Sequence, residues 1–174
     1  TPCGTLFPYT TLFRSGKDDA DAFLACIDAA RKQGKIVWVP PGEFVLNGTF
    51  KALGGDDIRG AGMWHSRLTG TAPMFYGTGK AFSVSDLAIF GQVAHRNDVS
   101  PDNAFNGNFG DGTRLTRVWM EHLKCGVWSL NGTTNLLIKE CRIRNTMADG
   151  VNLCDGTVDS TIEQCHVRNT GDDA

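Results

Sequence analysis

The sequence contains no run of lysine and arginine residues and no long apolar segment. Its formal net charge is −2, and 21% of its 174 residues are charged, so it offers no basic track for the phosphates of a nucleic acid. No apolar stretch approaches the ~20 residues that a membrane-spanning helix needs. We therefore expect neither a nucleic-acid partner nor a membrane partner, and the length fits one domain or part of a larger one.

Other common site signatures are also missing. There is no glycine-rich phosphate loop and no Ser-His-Asp pattern. No two cysteines have the C-x-x-C spacing that is typical of a zinc site. The six cysteines stand at positions 3, 26, 125, 141, 154 and 165. We predict no metal site from them and expect buried free thiols.

A short unit occurs twice at the end of the sequence. Residues 138–150 read IKECRIRNTMADG, and residues 162–174, at an offset of 24, read IEQCHVRNTGDDA. A fixed period in the twenties with β-branched and turn residues is typical of a solenoid. Residues 113–127 read as an earlier, diverged coil, in which Gly126 matches Gly150 at the same offset.

The repeat also aligns polar side chains and thiols. Asn145 and Asn169 are expected to stack as an asparagine ladder at a corner of the solenoid. Cys141 and Cys165 would lie ~4.8 Å apart on adjacent coils, a separation that also permits a disulfide. We expect the two thiols to be reduced and buried, because small apolar side chains stack well in a solenoid core.

The N-terminal part of the sequence has three sections. Residues 1–15, TPCGTLFPYTTLFRS, resemble translated sequencing-adapter read-through, and we assign them to a non-native or disordered leader. Residues 18–33 have helical spacing of apolar residues, with Asp18 as the predicted cap and Gly34 after the last turn. Short strands alternating with turns then follow, and residues 91–112 are predicted to form a long loop that lines a groove.

Three carboxylates are the candidate catalytic residues. The offset of 24 places Asp149 and Asp173 on neighbouring coils, and Asp172 precedes Asp173 directly. Crowded carboxyl groups cannot all stay ionised at low cost, so one can act as a general acid while a neighbour acts as a base. That pair of roles is the equipment of a glycoside hydrolase, although each aspartate considered singly is also an ordinary turn residue.

Two parts of the sequence resemble known families. The segment DDADAFLACIDAARKQGKIVWVPPGEFVL resembles the start of the pectate-lyase-like right-handed β-helix superfamily, in which a helix covers the open end of the solenoid. One aspartate followed 23 and 24 residues later by an Asp-Asp pair resembles glycoside hydrolase family 87, the α-1,3-glucanases (mutanases) and mycodextranases. The stretches GAGMWHSRLTG at 60–70 and NTMADGVNLCDG at 145–156 also resemble that family.

This resemblance implies an all-β fold: a right-handed parallel β-helix with an N-terminal capping helix and its C-terminal coils missing. Residues 16–174 are then the N-terminal part of a catalytic domain that hydrolyses an α-glucan polysaccharide with inversion. Asp172 is the implied general acid, and Asp149 and Asp173 position and deprotonate water. We expect no required cofactor, with room for a structural Ca²⁺ ion, and a secreted parent protein that is monomeric. We expect little or no activity from this stretch alone.

Four further residues are candidates for substrate binding: Trp128, Arg144, His166 and Arg168. The ring of Trp128 can stack on a sugar, with core packing as its alternative role. Arg144 and Arg168, one coil apart, can line the groove or pair with the aspartates. His166 has a surface position as its alternative.

Two other functions fit the same fold. A polysaccharide lyase or polygalacturonase would act on uronates, and in a lyase the aspartates would bind Ca²⁺. A non-catalytic β-helix would bind carbohydrate without cleaving it.

Overall fold

The computed structural model describes residues 18–154 and 156–174. The predicted leader at 1–15, with Cys3, lies outside these residues. The described part contains one helix, α1 (Ala20–Gln33), followed by fifteen strands. Most of these strands are three to five residues long, and all the strand pairs are parallel. The chain therefore forms a parallel β-solenoid behind an N-terminal helix, as the sequence predicted.

Helix α1 covers the first coil with its apolar face. Phe23, Ile27 and Ala30, which recur at helical spacing, are buried. Gly34 ends the helix with a φ of 60°, a conformation that glycine adopts without steric cost. The predicted cap is corrected: the N-cap is Asp19, and Asp18 instead accepts hydrogen bonds from the backbone N–H groups of Ala20 at 3.0 Å and Asn47 at 3.2 Å.

The strands form one ten-stranded and one five-stranded parallel sheet. Strands β7 and β9 run through two sides of the solenoid, so we describe the ten-stranded sheet as two parts, sheet a and sheet b, and the five-stranded sheet as sheet c. Sheet a contains β1 (Val37–Val39), β4 (Asp57–Gly60), the first part of β7 (Ser83–Phe90), the first part of β9 (Arg114–Glu121), β11 (Leu137–Lys139) and β14 (Thr161–Glu163). Sheet b contains β2 (Gly42–Val45), β5 (Ser66–Thr69), the second parts of β7 and β9, β12 (Arg142–Thr146) and β15 (His166–Thr170). Sheet c contains β3 (Lys51–Leu53), β6 (Phe75–Thr78), β8 (Phe105–Asn108), β10 (Val127–Ser129) and β13 (Val151–Leu153). The six strands of sheet a correspond to about six coils.

The register confirms the predicted period in the last coils. Ile138 pairs with Ile162, and Val127 pairs with Val151, both at an offset of 24. Within the predicted loop 91–112 the structure differs, because strand β8 lies inside it and pairs with β6 and β10. The irregular segment is residues 91–104, which we call the strap. It joins sheet b to sheet c in the third coil.

The core is filled by the inward side chains of sheets a, b and c and by α1. Phe105 is fully buried, and its ring stacks on those of Phe75 at 5.7 Å and Phe82 at 6.3 Å. Cys141 is buried and Cys165 is half-buried, and both are free thiols. Within the described part of the chain, no helix has the length and apolar character needed to cross a membrane.

The predicted asparagine ladder is present. Asn145 and Asn169 have φ angles of 52° and 53°, and the Asn169 side chain donates a 3.1 Å hydrogen bond to Oδ1 of Asn145. Below them, Glu121 is 7% exposed and accepts hydrogen bonds from Asn145 and, at 2.8 Å, from Arg144 Nε. The ladder thus ties three successive coils together at the end of sheet b.

We expect this network to make stability depend on pH. Burial raises the pKa of Glu121, but the hydrogen bonds from Arg144 and Asn145 outweigh it and hold the pKa below its ordinary value of 4.5. A carboxylate with a lowered pKa stabilises the fold above its unfolded-state value, and the contribution is lost as pH falls through the folded-state value. Glu121→Gln should therefore lower the free energy of unfolding by about 1–3 kcal/mol at pH 7, with a smaller loss at pH 3.5. Urea unfolding at both pH values measures this, and an equal loss at both would contradict it.

Candidate active site

The three predicted carboxylates lie at one corner of the solenoid, where the chain passes from sheet b to sheet c. Asp149 is in the corner segment 147–150 of the fifth coil, and Asp172 and Asp173 follow β15 in the sixth. Backbone hydrogen bonds stack these corners: Gly126 N–H donates to the carbonyl of Asp149 at 3.3 Å, and Gly150 N–H donates to that of Asp173 at 2.8 Å. Asp149 and Asp173 are therefore neighbours across one coil step.

Close packing explains the glycine after Asp149. A Cβ on Gly150 would lie 2.4 Å from Cγ1 of Val167, and a Cβ on Gly126 would lie 2.6 Å from the carbonyl oxygen of Gly150. The Asp-Gly pair at 149–150 thus marks a position where the next coil approaches the backbone directly. Gly126 and Gly150 occupy the same position in successive coils, because each of these corners packs directly against the next coil.

Asp149, Asp172 and Asp173 line a single cavity of about 300 Å³, together with Trp128 and Asn152. Asp149 is only 7% exposed, and its Oδ2 accepts a 2.7 Å hydrogen bond from the Asn152 side chain. Asp172 and Asp173 are exposed. The arrangement therefore combines one sheltered carboxyl group with two that solvent can reach.

The strap closes one side of this cavity. Arg96 Nη1 donates a 2.7 Å hydrogen bond to Oδ2 of Asp172, and its Nε donates to Asp98 at 2.6 Å. These bonds to Asp98 and Asp172 raise the pKa of Arg96 above its ordinary value, so the guanidinium stays charged. A segment of the third coil thereby reaches a carboxylate of the sixth coil.

Lys124 fastens the strap to the fourth coil. Its side chain is buried, and its Nζ donates to the backbone carbonyl groups of Asp98 and Ser100. The Lys124 backbone N–H also donates to the carbonyl of Asp102 at 2.8 Å. The Lys124 Nζ lies 5.5 Å from the centre of the Trp128 ring, within the range of a cation–π contact.

The sequence predicted that the segment 91–112 lines a groove, but it did not single out four polar residues of the cavity: Arg96, Asp98, Lys124 and Asn152. Lys124 had a usable signal, because it stands 24 positions before Ala148 and so lies in the corner of the preceding coil. Asn152 follows Asp149 by three positions on β13. Arg96 and Asp98 had no such signal, since the strap has no repeat that fixes its position.

Three of the four candidate binding residues lie outside this cavity. Trp128 lines it, whereas Arg144, His166 and Arg168 project from sheet b. Arg144 bonds to Glu121 and lies 4.6 Å from the centre of the Trp119 ring. Arg168 and His166 are exposed one coil further along, in register with Arg144 and Arg142.

A family model of the α-1,3-glucanase catalytic domain D2 matches residues 15–174 of the sequence. The chain belongs to this α-1,3-glucanase family. No curated protein sequence matches the chain. The family accounts for the fold, since its members among the solved structures superpose on most of the described solenoid.

Three solved structures define the similarity to this α-1,3-glucanase domain. The catalytic unit of the thermostable GH87 α-1,3-glucanase from Streptomyces thermodiastaticus strain HF3-3 is 35% identical, with a TM-score of 0.84, over 90% of this chain and 29% of that one. The Agl-KA catalytic domain is 33% identical, with a TM-score of 0.84, over 93% of this chain and 32% of that one. A GH87 α-1,3-glucanase catalytic domain in complex with nigerose is 27% identical, with a TM-score of 0.80, over 100% of this chain and 32% of that one. The chain thus spans about a third of the length of these proteins.

Related GH87 structures carry single aspartate-to-alanine substitutions and were solved with nigerose or tetrasaccharides. They are 25% or 26% identical to this chain, with TM-scores of 0.77 to 0.80, over 98–100% of it and 32% of their own length. Each structure carries one substitution, and three different aspartates are replaced across the set. The second and third of them stand 23 and 24 positions after the first.

Proposed function

We propose that this domain hydrolyses α-1,3-glucosidic bonds of a glucan with inversion of configuration. The observation that carries the proposal is the meeting of Asp149, Asp172 and Asp173 in one cavity. Their spacing of 23 and 24 residues equals that of the aspartates replaced in the oligosaccharide-bound α-1,3-glucanases. Those substitutions and the bound sugars support a role for the matching residues in glucan cleavage.

An inverting hydrolase needs one carboxyl group as general acid and another as base for a water molecule on the opposite face of the sugar. In our proposal Asp172 protonates the glycosidic oxygen. Arg96 donates a hydrogen bond to Oδ2 of Asp172. The other oxygen, Oδ1, is therefore the one that carries the proton to the glycosidic oxygen. Asp149 and Asp173 deprotonate and position the water, and the bond from Asn152 holds Asp149 in a fixed orientation.

The outer surface of sheet c offers a path for the polymer. Tyr76, Asn106, Trp128 and Asn152 occupy successive positions in register on β6, β8, β10 and β13. Their spacing of ~4.8 Å per strand is close to the length of one sugar unit. Two aromatic rings for stacking and two amides for hydrogen bonding therefore lead to the aspartates.

The charges in the cavity favour a neutral glucan over a uronate. Four carboxylates line it, against the two cations Arg96 and Lys124. Both cations are already engaged by groups of the protein itself. An anionic polygalacturonate would meet net negative charge, whereas a neutral glucan would not.

We also propose that the reaction uses no cofactor, since two carboxyl groups and water suffice for it. Within residues 18–154 and 156–174, no group of three or more His, Cys, Asp or Glu side chains is gathered as metal ligands, which gives no support to the calcium-dependent lyase. We propose that the enzyme is secreted, because a large, insoluble polymer has to be met outside the cell.

The test is an assay of reducing-sugar release from α-1,3-glucan, from nigeran (alternating α-1,3 and α-1,4 bonds) and from polygalacturonate. It uses this chain and a form that spans the length of the solved relatives. We expect the longer form to release sugar from α-1,3-glucan and none from polygalacturonate, and this chain alone to release little or none. Cleavage of nigeran alone would assign the mycodextranase specificity. Cleavage of polygalacturonate alone, or binding of glucan without cleavage by the folded longer form, would refute the proposal.

A further inference from the structure

A second surface with the chemistry of a sugar site lies on the outside of sheet b. We call it the Trp64 cluster; it consists of Trp64, Phe90, Trp119 and Arg142. The Trp119 ring packs edge-on against Trp64 at 4.7 Å and against Phe90 at 5.0 Å. The Arg142 guanidinium lies 5.0 Å from the Trp64 ring centre and 5.1 Å from that of Trp119. None of these residues lines the cavity that contains Asp149.

The cluster has features that folding alone does not require. Trp64 leaves 58% of its surface exposed, the largest exposed fraction among the tryptophans of the described residues. Beneath it, Trp119 Nε1 and Arg142 Nε are buried and have no hydrogen-bond partner within the described part of the chain. An unpaired buried donor destabilises a fold, and an exposed tryptophan ring contributes little to it. The exposed Trp64 ring fits a surface that is completed by a ligand, whereas the two unpaired donors lie beneath it and out of a ligand's direct reach.

The side chains select the chemical class of that ligand. A pyranose ring presents C–H groups that pack on an indole face and hydroxyl groups that accept hydrogen bonds from a guanidinium. Arg142 forms no ion pair with a described residue, whereas the adjacent Arg144 is engaged by Glu121. The cluster thus offers a stacking face next to a charged donor that no carboxylate occupies.

The position of the cluster indicates that its ligand is the same polymer that enters the cavity. Trp119 on β9 and Arg142 on β12 are paired in register. These two strands run directly into the corner segments that hold Lys124 and Asp149. A polymer held on the cluster therefore lies one corner away from the carboxylates, on the same coils.

We propose that Trp64, Trp119 and Arg142 form a second, non-catalytic binding surface for the glucan chain. The surface holds the insoluble polymer beside the cavity, and the identity of the sugar rests on the proposed function. Short soluble oligosaccharides occupy the cavity without needing the cluster, so the surface affects polymer binding and leaves the cleavage of short substrates unchanged.

The test is co-sedimentation of the protein with insoluble α-1,3-glucan, using this chain and the longer form. Trp64→Ala and Arg142→Gln should each weaken binding about 10-fold. Arg59→Gln, an exposed arginine on sheet a that pairs with Asp57, should bind as the parent does. Thermal unfolding checks that each variant is folded, and Trp64 is exposed enough for its removal to be tolerated.

Hydrolysis of a soluble α-1,3-linked tetrasaccharide separates this inference from the proposed function. We expect Trp64→Ala and the parent to cleave it at the same rate. Equal sedimentation of the parent and both variants would overturn the second surface. The inference would also be overturned if this chain bound the polymer and the longer form did not, because another part of the longer protein would then cover the cluster. Loss of cleavage in every form, with polymer binding still dependent on Trp64, would refute the hydrolase and leave the binding surface standing.

Discussion

Replacing Asp172 with asparagine should lower the rate of α-1,3-glucan hydrolysis by roughly 10²- to 10⁴-fold, the usual contribution of a general acid. Asparagine keeps the size of the side chain and can still bond to Arg96, but it has no proton to give to the departing sugar oxygen. Polymer binding should therefore stay close to that of the parent. Initial rates on α-1,3-glucan and co-sedimentation with it, measured side by side in the longer form, give both quantities.

Asp57→Asn is a matched control for this result. Asp57 lies on sheet a and pairs with Arg59 at 2.5 Å, so the substitution makes the same chemical change in a similar ion pair away from the cavity. We expect it to keep the parent rate. An Asp172→Asn protein that retains more than a tenth of the activity would show that Asp172 is not the acid.

Replacing Phe105 with alanine should cost about 3–5 kcal/mol of unfolding free energy, the range found for buried phenylalanine. Phe105 is fully buried on β8, between the rings of Phe75 and Phe82. Its removal leaves a cavity that the stacked coils cannot close, because each strand is held in register by the strands on both sides. Urea unfolding at pH 7, followed by tryptophan fluorescence, measures the loss.

Tyr76→Ala is the control for this substitution. Tyr76 stands next to Phe75 on β6 but faces outward and is 43% exposed. Its replacement should cost less than about 1 kcal/mol. If Phe105→Ala cost no more than Tyr76→Ala, β8 would not be part of the packed core. The segment would then be a loop, as the sequence alone suggested.

The last coils could be predicted because their spacing is constant. An offset of 24 puts Val127 on Val151 and Ile138 on Ile162, and it makes Asp149 and Asp173 neighbours. Backbone pairing between parallel strands converts such a period directly into a contact in space. This was enough to locate the catalytic candidates and the asparagine ladder.

The strap was predicted as part of a loop that lines a groove, but its contacts could not be predicted, because its insertion breaks the period. Val84 pairs with Leu115 across a longer coil, so no repeat fixes where residues 91–104 lie. The strand β8 was hidden in the same way by the glycine- and asparagine-rich sequence around it, since turn residues there outweigh a short strand signal. Arg96 meets Asp172 across 76 positions of sequence, a contact that only the packed strap can bring about.

The positions of Arg144 and Arg168 show a second limit. The repeat predicted correctly that they lie one coil apart. It did not predict that the two side chains project from sheet b, outside the cavity. A sequence period assigns a residue to a coil, but it does not say on which side of a corner the residue lies. Strand β12, which carries Arg144, also carries Arg142 of the Trp64 cluster.

The most direct measurement is the configuration of the first sugar that is released. A soluble α-1,3-linked oligosaccharide is incubated with the longer form of the enzyme, and proton NMR follows the anomeric signals before mutarotation mixes them. Inverting hydrolysis at the aspartate site predicts that the β-anomer appears first. Release of the α-anomer first, an unsaturated product, or no cleavage by a folded enzyme would contradict this account of the site.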